Sequence, residues 1–288
     1  MTTERTTPTR RFTSAAGWLL TASMGLGLGA GCDRGMDWTE FREALDEAVV
    51  QGEAQAMAND VIEISTSFTI GQAVAEAREE IRAFAESQIP CSSVTLEGET
   101  GLSIDFGELG DCSYNGKTYA GVITLDLEAN ADASEVIVHH GAEAFRNEDI
   151  QLDGSIDVTW GGGARKVVSD LSFSGEGGVS LEISANRTMT FIDPALGLAG
   201  GVEISGSRTW ESARGQWSLD IDAVEVRGQD PVPQSGEYVL TNPDDAVVTM
   251  SFERLDEDTI QVTMTGSGSR RSRERVYEVS STGSVDEA

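Results

Sequence analysis

The feature that most constrains this chain is an alternation of apolar and polar side chains with a period of two, which begins after Pro90. Successive side chains of a β-strand point to opposite faces, so each such segment buries one face and exposes the other. The clearest example is residues 150–160, in which apolar residues alternate with glutamine, aspartate, serine and threonine. The same pattern recurs at residues 119–127, 167–173, 179–191, 202–210, 217–221, 246–252 and 260–264.

Turn-forming sequences separate these segments. They are Asn115-Gly116, Gly161–Gly163, Gly177-Gly178, Gly200-Gly201 and Asn242–Asp245. Turns of this kind join consecutive antiparallel strands into hairpins, so residues 91–279 are predicted to form about a dozen strands in a meander. The apolar face of the sheet must be covered. We therefore predict a mainly β fold with N-terminal helices, in which a large antiparallel meander sheet forms either a curved half-barrel or a sandwich, with two helices packed on it. We favour the curved sheet with the helices on its concave side.

Residues 37–90 have a helical pattern instead. Apolar residues recur at three- and four-residue steps from Trp38 to Val49, and again between Ser67 and Pro90. The β-branched, polar segment Asp60–Ile70 is predicted to connect the two helices. At the other end of the chain, residues 280–288 are small, polar and acidic, so this tail is predicted to be disordered.

The first 31 residues have the features of an export signal. Arg5, Arg10 and Arg11 precede an uncharged stretch, which ends in small residues before Cys32. This ending resembles the lipobox of bacterial lipoproteins, although Gly29 stands where that family prefers leucine. The resemblance implies that residues 1–31 are removed, that Cys32 is lipidated and that residues 32–36 form a short tether. The alternative is an ordinary signal peptide with a soluble product.

Charge limits the partners of the chain. The net charge is −29, and it becomes −31 without the leader, which contains three arginines and one glutamate. Such a field repels phosphate, so no nucleic-acid partner is expected, and an anionic bilayer is not bound through the overall charge. Attachment to a membrane then depends on the N-terminal acyl chains. The expected location is exported and lipid-anchored in the bacterial cell envelope, on its periplasmic or surface face.

The chain has three cysteines. With Cys32 assigned to the lipid, Cys91 and Cys112 remain as a pair in an oxidising compartment, where a disulfide is expected. Two buried free thiols are the alternative.

The segment from Cys91 to Thr124 resembles a pattern in exported bacterial lipoproteins of uncharacterised function. In those proteins a cysteine and a Val-Thr strand precede an Ile-Asp-Phe-Gly turn, a second cysteine and a strand that begins Gly-Lys-Thr. Here these are Cys91, Val94-Thr95, Ile104–Gly107, Cys112 and Gly116–Thr118. The resemblance implies a surface or periplasmic β protein with Cys91 and Cys112 paired. It implies no activity and no catalytic residue.

No motif in the sequence indicates an enzyme, so no catalytic residue, cofactor or metal is expected. His139 and His140 are neighbours in a predicted strand, point to opposite faces and cannot bind one ion together. A role at the surface or at a loop end is expected for both. No nucleophile elbow, zinc-protease motif or phosphate loop occurs. Acidic turns such as Asp256–Asp258 lack the ligand spacing of a calcium loop, and a weak calcium site there is an alternative to a solvated turn.

Two arginines break the apolar pattern. Arg187 and Arg208 occupy the apolar phase of their strands, in two related segments 21 residues apart, Glu182–Thr188 and Glu203–Thr209. Joined as a hairpin, the strands would bring the two arginines near-opposite, where like charges repel. A buried guanidinium without a partner is costly, so an anionic group is predicted beside them. That group is either an acidic residue of this chain or the head of an anionic ligand, unless the strands end at a wet rim.

These observations leave two function classes. The first is a non-catalytic cell-envelope lipoprotein that is structural or binds an envelope protein. The second is a carrier or binder of a lipid or another hydrophobic anionic ligand on the apolar face of the sheet. A cavity of several hundred Å³ lined by the apolar residues would favour the carrier, whereas a closed core would favour the first class.

Overall fold

The computed structural model describes residue 47 and residues 54–62, 74–114, 116–129, 135–175, 180–267 and 272–287. In these residues the chain forms one open, curved sheet of 15 antiparallel strands with helices on one face. The alternation of side chains after Pro90 therefore predicts the fold class correctly. The curved sheet is confirmed over the sandwich, because all the strands but the short β3 (Cys112–Tyr114) follow one continuous path of pairing.

Two helical segments precede the sheet: α1, residues 54–62, and α2, Val74–Gln88. The strands are β1 (Ser93–Glu97), β2 (Gly101–Asp105), β3, β4 (Lys117–Ala129), β5 (Glu135–Arg146), β6 (Ile150–Gly161), β7 (Ala164–Gly175), β8 (Ser180–Phe191), β9 (Val202–Ser212), β10 (Gly215–Val226), β11 (Ser235–Thr241), β12 (Val247–Arg254), β13 (Thr259–Ser267), β14 (Ser272–Ser280) and β15 (Val285–Glu287). A short 3-10 turn, Gly197–Gly200, lies between β8 and β9.

The strand order is the order of the sequence. Along the main path each strand pairs with the next one, except that β2 pairs directly with β4. The short strand β3 lies off this path and pairs with β4. The 15 strands in the described residues exceed the dozen that the sequence predicts. The additional ones include β1, β3 and β15, which have three to five residues each. Such short strands show too few alternating positions to be recognised by their pattern.

The face that carries the helices, here called the inner face, contains the core. Apolar residues of α1 and α2 form one buried cluster with residues of β2 and β4–β10, joined at its far edge by Leu240 and Val248. At its centre, Phe106, Tyr119 and Phe145 are almost fully buried. The rings of Tyr119 and Phe145 stack with centroids 5.3 Å apart. A second, smaller cluster lies on β11–β14 and includes Phe252, Val262 and Met264.

Two bulges bend the strands. In each, a bulged strand residue with positive φ, Ala144 on β5 or Ala223 on β10, lies against a glycine on the neighbouring strand. A Cβ at Gly121 would lie 2.2 Å from the Ala144 carbonyl oxygen, and one at Gly236 would lie 2.4 Å from that of Ala223. Only glycine permits this close approach, and bulges of this type increase the local bend of a sheet.

Two boundaries differ from those predicted. Residues 60–62, assigned to the connection between the helices, belong to α1. Residues 280–288 are predicted to be disordered, but Val285–Glu287 forms β15 and pairs with Tyr277–Val279 of β14. That expectation is wrong for this segment, because backbone pairing with an edge strand orders a chain whatever its polarity. The leader and Cys32 lie outside the described residues.

Candidate functional site

Three arginines lie on a diagonal across the inner face. Arg165 on β7 pairs with Met189, two residues from Arg187 on β8. Arg208 on β9 pairs with Ala185, two residues from Arg187 in the other direction. We call Arg165, Arg187 and Arg208 the arginine diagonal. The alternation of each strand places it on the same face as the buried Val167 and Ile183.

The burial of Arg187 and Arg208 agrees with their apolar phase in the sequence. They are only 8% and 6% exposed. The register places Gly206, not Arg208, directly opposite Arg187, so the two arginines are diagonal neighbours. Gly206 adds no side chain at the position opposite Arg187. A role of Arg187 and Arg208 in binding a ligand or an acidic residue stays a prediction.

The contacts of Arg187 are few. Its Nη2 donates a hydrogen bond of 3.4 Å to Asn59 Oδ1 of α1. Its Nε is buried and has no hydrogen-bond partner among the described residues. The guanidinium of Arg165 lies 5.2 Å from the ring centre of Trp160, in a cation–π contact.

Burial and mutual repulsion weaken the basicity of these side chains. Burial is the main cause that lowers the pKa of Arg187 to about 10, and the positive charge of Arg165 is the second cause. Burial is also the main cause that lowers the pKa of Arg208 to about 9, and the positive charge of Arg187 is the second cause. Both remain cations at neutral pH. Tyr238 on β11 is close enough to interact with both, and burial raises the pKa of its phenol, which therefore stays protonated.

Two acidic residues of the helical part contact side chains of the sheet and of the turn between β9 and β10. Glu47, which is 6% exposed, accepts a 3.1 Å hydrogen bond from Trp210 Nε1, and its other carboxylate oxygen lies 3.9 Å from Arg214 Nη1. Asp60 of α1 accepts hydrogen bonds from Lys117 Nζ at 2.6 Å and from the Tyr119 hydroxyl at 3.0 Å. These contacts attach the helical residues to β4 and β9.

A separate groove of about 520 Å³ lies on the opposite, outer face and is lined by residues of β1, β2 and β4–β6 and of the turn between β1 and β2. In one row across the strands, His139 stands between Asp126 and Asp157. His139 Nδ1 lies 2.8 Å from Asp157 Oδ1, and Nε2 lies 3.5 Å from Glu128. The hydrogen bond to Asp157 raises the pKa of His139. Carboxylates around a histidine favour a cationic group over an anion in this groove.

His139 and His140 point to opposite faces, as the sequence predicts. The expected surface role is wrong for His140, which is 2% exposed within the core. Its Nδ1 lies 3.1 Å from the Val138 oxygen and 3.0 Å from the Ile156 oxygen, so it is the protonated nitrogen of a neutral ring. Burial lowers the pKa of His140 to about 4.

Cys91 and Cys112 form a disulfide, as expected. It joins the segment before β1 to β3, at the edge of the sheet that α2 contacts. Within the described ranges, no group of three or more histidine, cysteine, aspartate or glutamate residues is arranged to hold a metal ion. No helix in that part of the chain is long and apolar enough to cross a membrane.

Sequence reasoning missed Arg165, Asn59 and Tyr238. Arg165 has the same phase as Val167 and Leu171, so the reasoning that found Arg187 could have found it. No local pattern connects Asn59 or Tyr238 with the diagonal, because they reach it through tertiary packing.

Comparison of the chain with protein-family models, with curated proteins and with solved structures finds no match in any of the three.

Proposed function

We propose that this protein is a non-catalytic lipoprotein of the bacterial cell envelope, attached to a membrane by acyl chains on Cys32, and that the outer face of its sheet binds a basic partner. The observation that carries the proposal is the contrast between the two faces. The inner face of β2–β10 packs into one core with the helical residues. The outer face is therefore the broad surface that these strands leave for a partner.

The outer face of β4–β10 is acidic. Its exposed carboxylates include Asp126, Asp170, Glu182, Glu211, Asp220 and Asp222, and Lys166 is an exposed base among them. Glu182 and Glu211 stand directly opposite each other on β8 and β9, where like charges repel. A basic partner would relieve this repulsion, and complementary charge speeds its encounter and favours it over acidic competitors.

The carrier of a hydrophobic anionic ligand is the second candidate. The buried arginines on the inner face favour it, because an apolar surface with cationic side chains suits an amphiphilic anion. The packing of the helical residues against β2–β10 argues against a large open cavity in that part of the sheet.

Substitution of the proposed lipid-bearing residue tests the anchor. Cys32→Ser is expected to abolish incorporation of labelled fatty acid and to move the protein from the membrane fraction to the soluble fraction. Cys91→Ser serves as the matched cysteine control and should keep both the label and the membrane association. Membrane-bound Cys32→Ser protein would contradict the anchor.

A photo-crosslinking residue at Ser184, an exposed position on β8, tests the outer face in intact cells. We expect a crosslinked product of defined mass that disappears when Asp170, Glu182 and Asp220 are changed to lysine. The matched control changes Asp244, Asp245 and Asp256, which lie in turns, to lysine with the same change in net charge. Loss of the product in both variants would indicate an effect of net charge alone and would contradict binding at the outer face.

A further inference from the structure

We infer that the arginine diagonal on the inner face is a binding site for an oxyanion, that is, for a phosphate or carboxylate group. Guanidinium groups bind such anions through paired N–H donors. This inference deepens the second candidate function by naming its site and the anionic group that the site binds. The site lies on the other face of the sheet from the proposed basic partner and does not depend on that partner.

Arg187 provides the first argument. Its side chain is 8% exposed, and its one hydrogen bond to a described residue goes to the neutral amide oxygen of Asn59. No carboxylate of the described residues forms an ion pair with it. Burial of a cation is unfavourable without a counter-charge, and here Arg165 and Arg208 add repulsion from both sides. An oxyanion beside Arg187 would neutralise this repulsion.

The arrangement of donors provides the second argument. Arg187 and Arg208 are diagonal neighbours on adjacent strands, a separation that long side chains can span. The cross-strand row that contains Arg187 continues through Gly206 and Ile221 to Tyr238. The protonated phenol of Tyr238 can donate a hydrogen bond to an anion, and the guanidinium groups supply charge-assisted ones.

The surroundings of Tyr238 suggest where an attached alkyl chain would lie. The Tyr238 ring contacts Phe252 edge-on with centroids 5.7 Å apart, and it packs against the second apolar cluster on β11–β14. An amphiphile with its anionic head at the diagonal would therefore have apolar side chains within reach of its tail. A free anion would use the arginines and Tyr238 alone.

Thermal unfolding of the full-length chain tests the site with three probes: inorganic phosphate, dodecyl phosphate and dodecyl maltoside. Both detergents are used below their critical micelle concentrations. All samples have the same ionic strength, and a sample that contains only chloride salt is the reference. We expect phosphate or dodecyl phosphate to raise the midpoint temperature of unfolding. Arg187→Met should weaken binding of that same probe at least tenfold. Lys166→Met removes an exposed cation from the outer face of the same sheet and should bind as the unchanged protein does. Tighter binding of dodecyl phosphate than of phosphate, without an effect of dodecyl maltoside, identifies a lipid-like ligand, and equal binding identifies a free anion.

Arg187→Lys and Tyr238→Phe serve if Arg187→Met does not fold. The first keeps the charge but loses the paired donors, and the second removes one hydroxyl, so each should weaken binding of the anion that stabilises the unchanged protein. Two results would overturn the inference. One is the absence of a shift with either anion beyond that in chloride, which would mean that acids of the chain itself neutralise the diagonal. The other is an equal shift in the unchanged protein and the Arg187 variants, which would place the anion elsewhere.

Discussion

The inner face differs between its two neighbouring parts, although one alternating pattern builds both. Between β2 and β6 it buries closely packed rings and aliphatic side chains around Phe106, Tyr119 and Phe145. Between β7 and β9 the same phase of the alternation carries Arg165, Arg187 and Arg208. Similar strands with a similar register therefore give an apolar core in one part and, in the other, an extension of that core interrupted by three arginines.

The comparison shows that burial and apolar character are separate properties of a strand position. The period of the pattern decides which residues point inward, whereas the chemistry of those residues decides whether burial is favourable. Burial of an aromatic ring stabilises the fold by removing apolar area from water. Burial of a guanidinium does so only when a counter-charge or hydrogen bonds replace its hydration. The first part thus serves stability, and the second is the better candidate for binding.

The largest expected effect is in the apolar part. Phe145 is fully buried, stacks on Tyr119 and contacts Phe106 edge-on at 5.4 Å. Phe145→Ala removes these contacts and leaves a cavity, so it should lower the free energy of unfolding by about 4 kcal/mol. Urea unfolding followed by circular dichroism measures the change. A loss below about 1 kcal/mol would show that this part is not the dominant core.

The histidines give the next effect, which depends on pH. Burial lowers the pKa of His140 in the folded state from its usual 6.5 to about 4. The stability that the neutral imidazole contributes is therefore fully present above pH 6.5 and is lost as pH falls towards 4. At about 1.4 kcal/mol per pKa unit, the loss is roughly 3 kcal/mol. Urea unfolding at pH 7 and pH 4 measures this loss. The free energy of unfolding should fall less between the two pH values in His140→Leu than in the wild-type protein.

His139, on the outer face, should show the opposite pH dependence and therefore serves as a control. Hydrogen bonding to Asp157 raises the pKa of His139, so its stabilising effect is present at pH 6 and is lost as pH rises. His139→Gln should therefore cost more stability at pH 6 than at pH 8, and the effect should be small because the side chain is partly exposed. Equal pH profiles for the two histidine variants would contradict the assignment of opposite faces.

Among the buried residues, the smallest expected effect lies at the arginine diagonal. Arg208→Ala should lower the free energy of unfolding by about 2 kcal/mol, because it removes a long side-chain stem that is packed in the core, where Arg208 is 6% exposed. Lys166→Ala on the exposed face should change it by less than about 0.5 kcal/mol. Arg208→Met, which keeps the volume without the charge, should be less harmful than Arg208→Ala. Equal effects of Arg208→Ala and Lys166→Ala would remove the distinction between the two faces.

Much of this architecture is predictable because strand patterns are local. The segment 150–160 predicts β6 within one residue, and the inward phase of Arg187 and Arg208 follows from counting along the strand. The Cys91–Cys112 bridge also agrees with the expectation. The composition of the tail does not predict β15, because the order of Val285–Glu287 comes from pairing with β14.

The sequence by itself determined which residues of each strand share a face, because side-chain alternation is a property of the extended backbone. It also determined the meander, since a short turn places each strand beside the one before it, where the two pair as a hairpin. Only the tertiary structure decided that Gly206 lies opposite Arg187, that Asn59 and Tyr238 approach the diagonal, and that His140 is buried while His139 contacts Asp157. Those relations depend on register, on bulges and on how the helices pack across the sheet. They join residues far apart in the chain, so no local pattern encodes them.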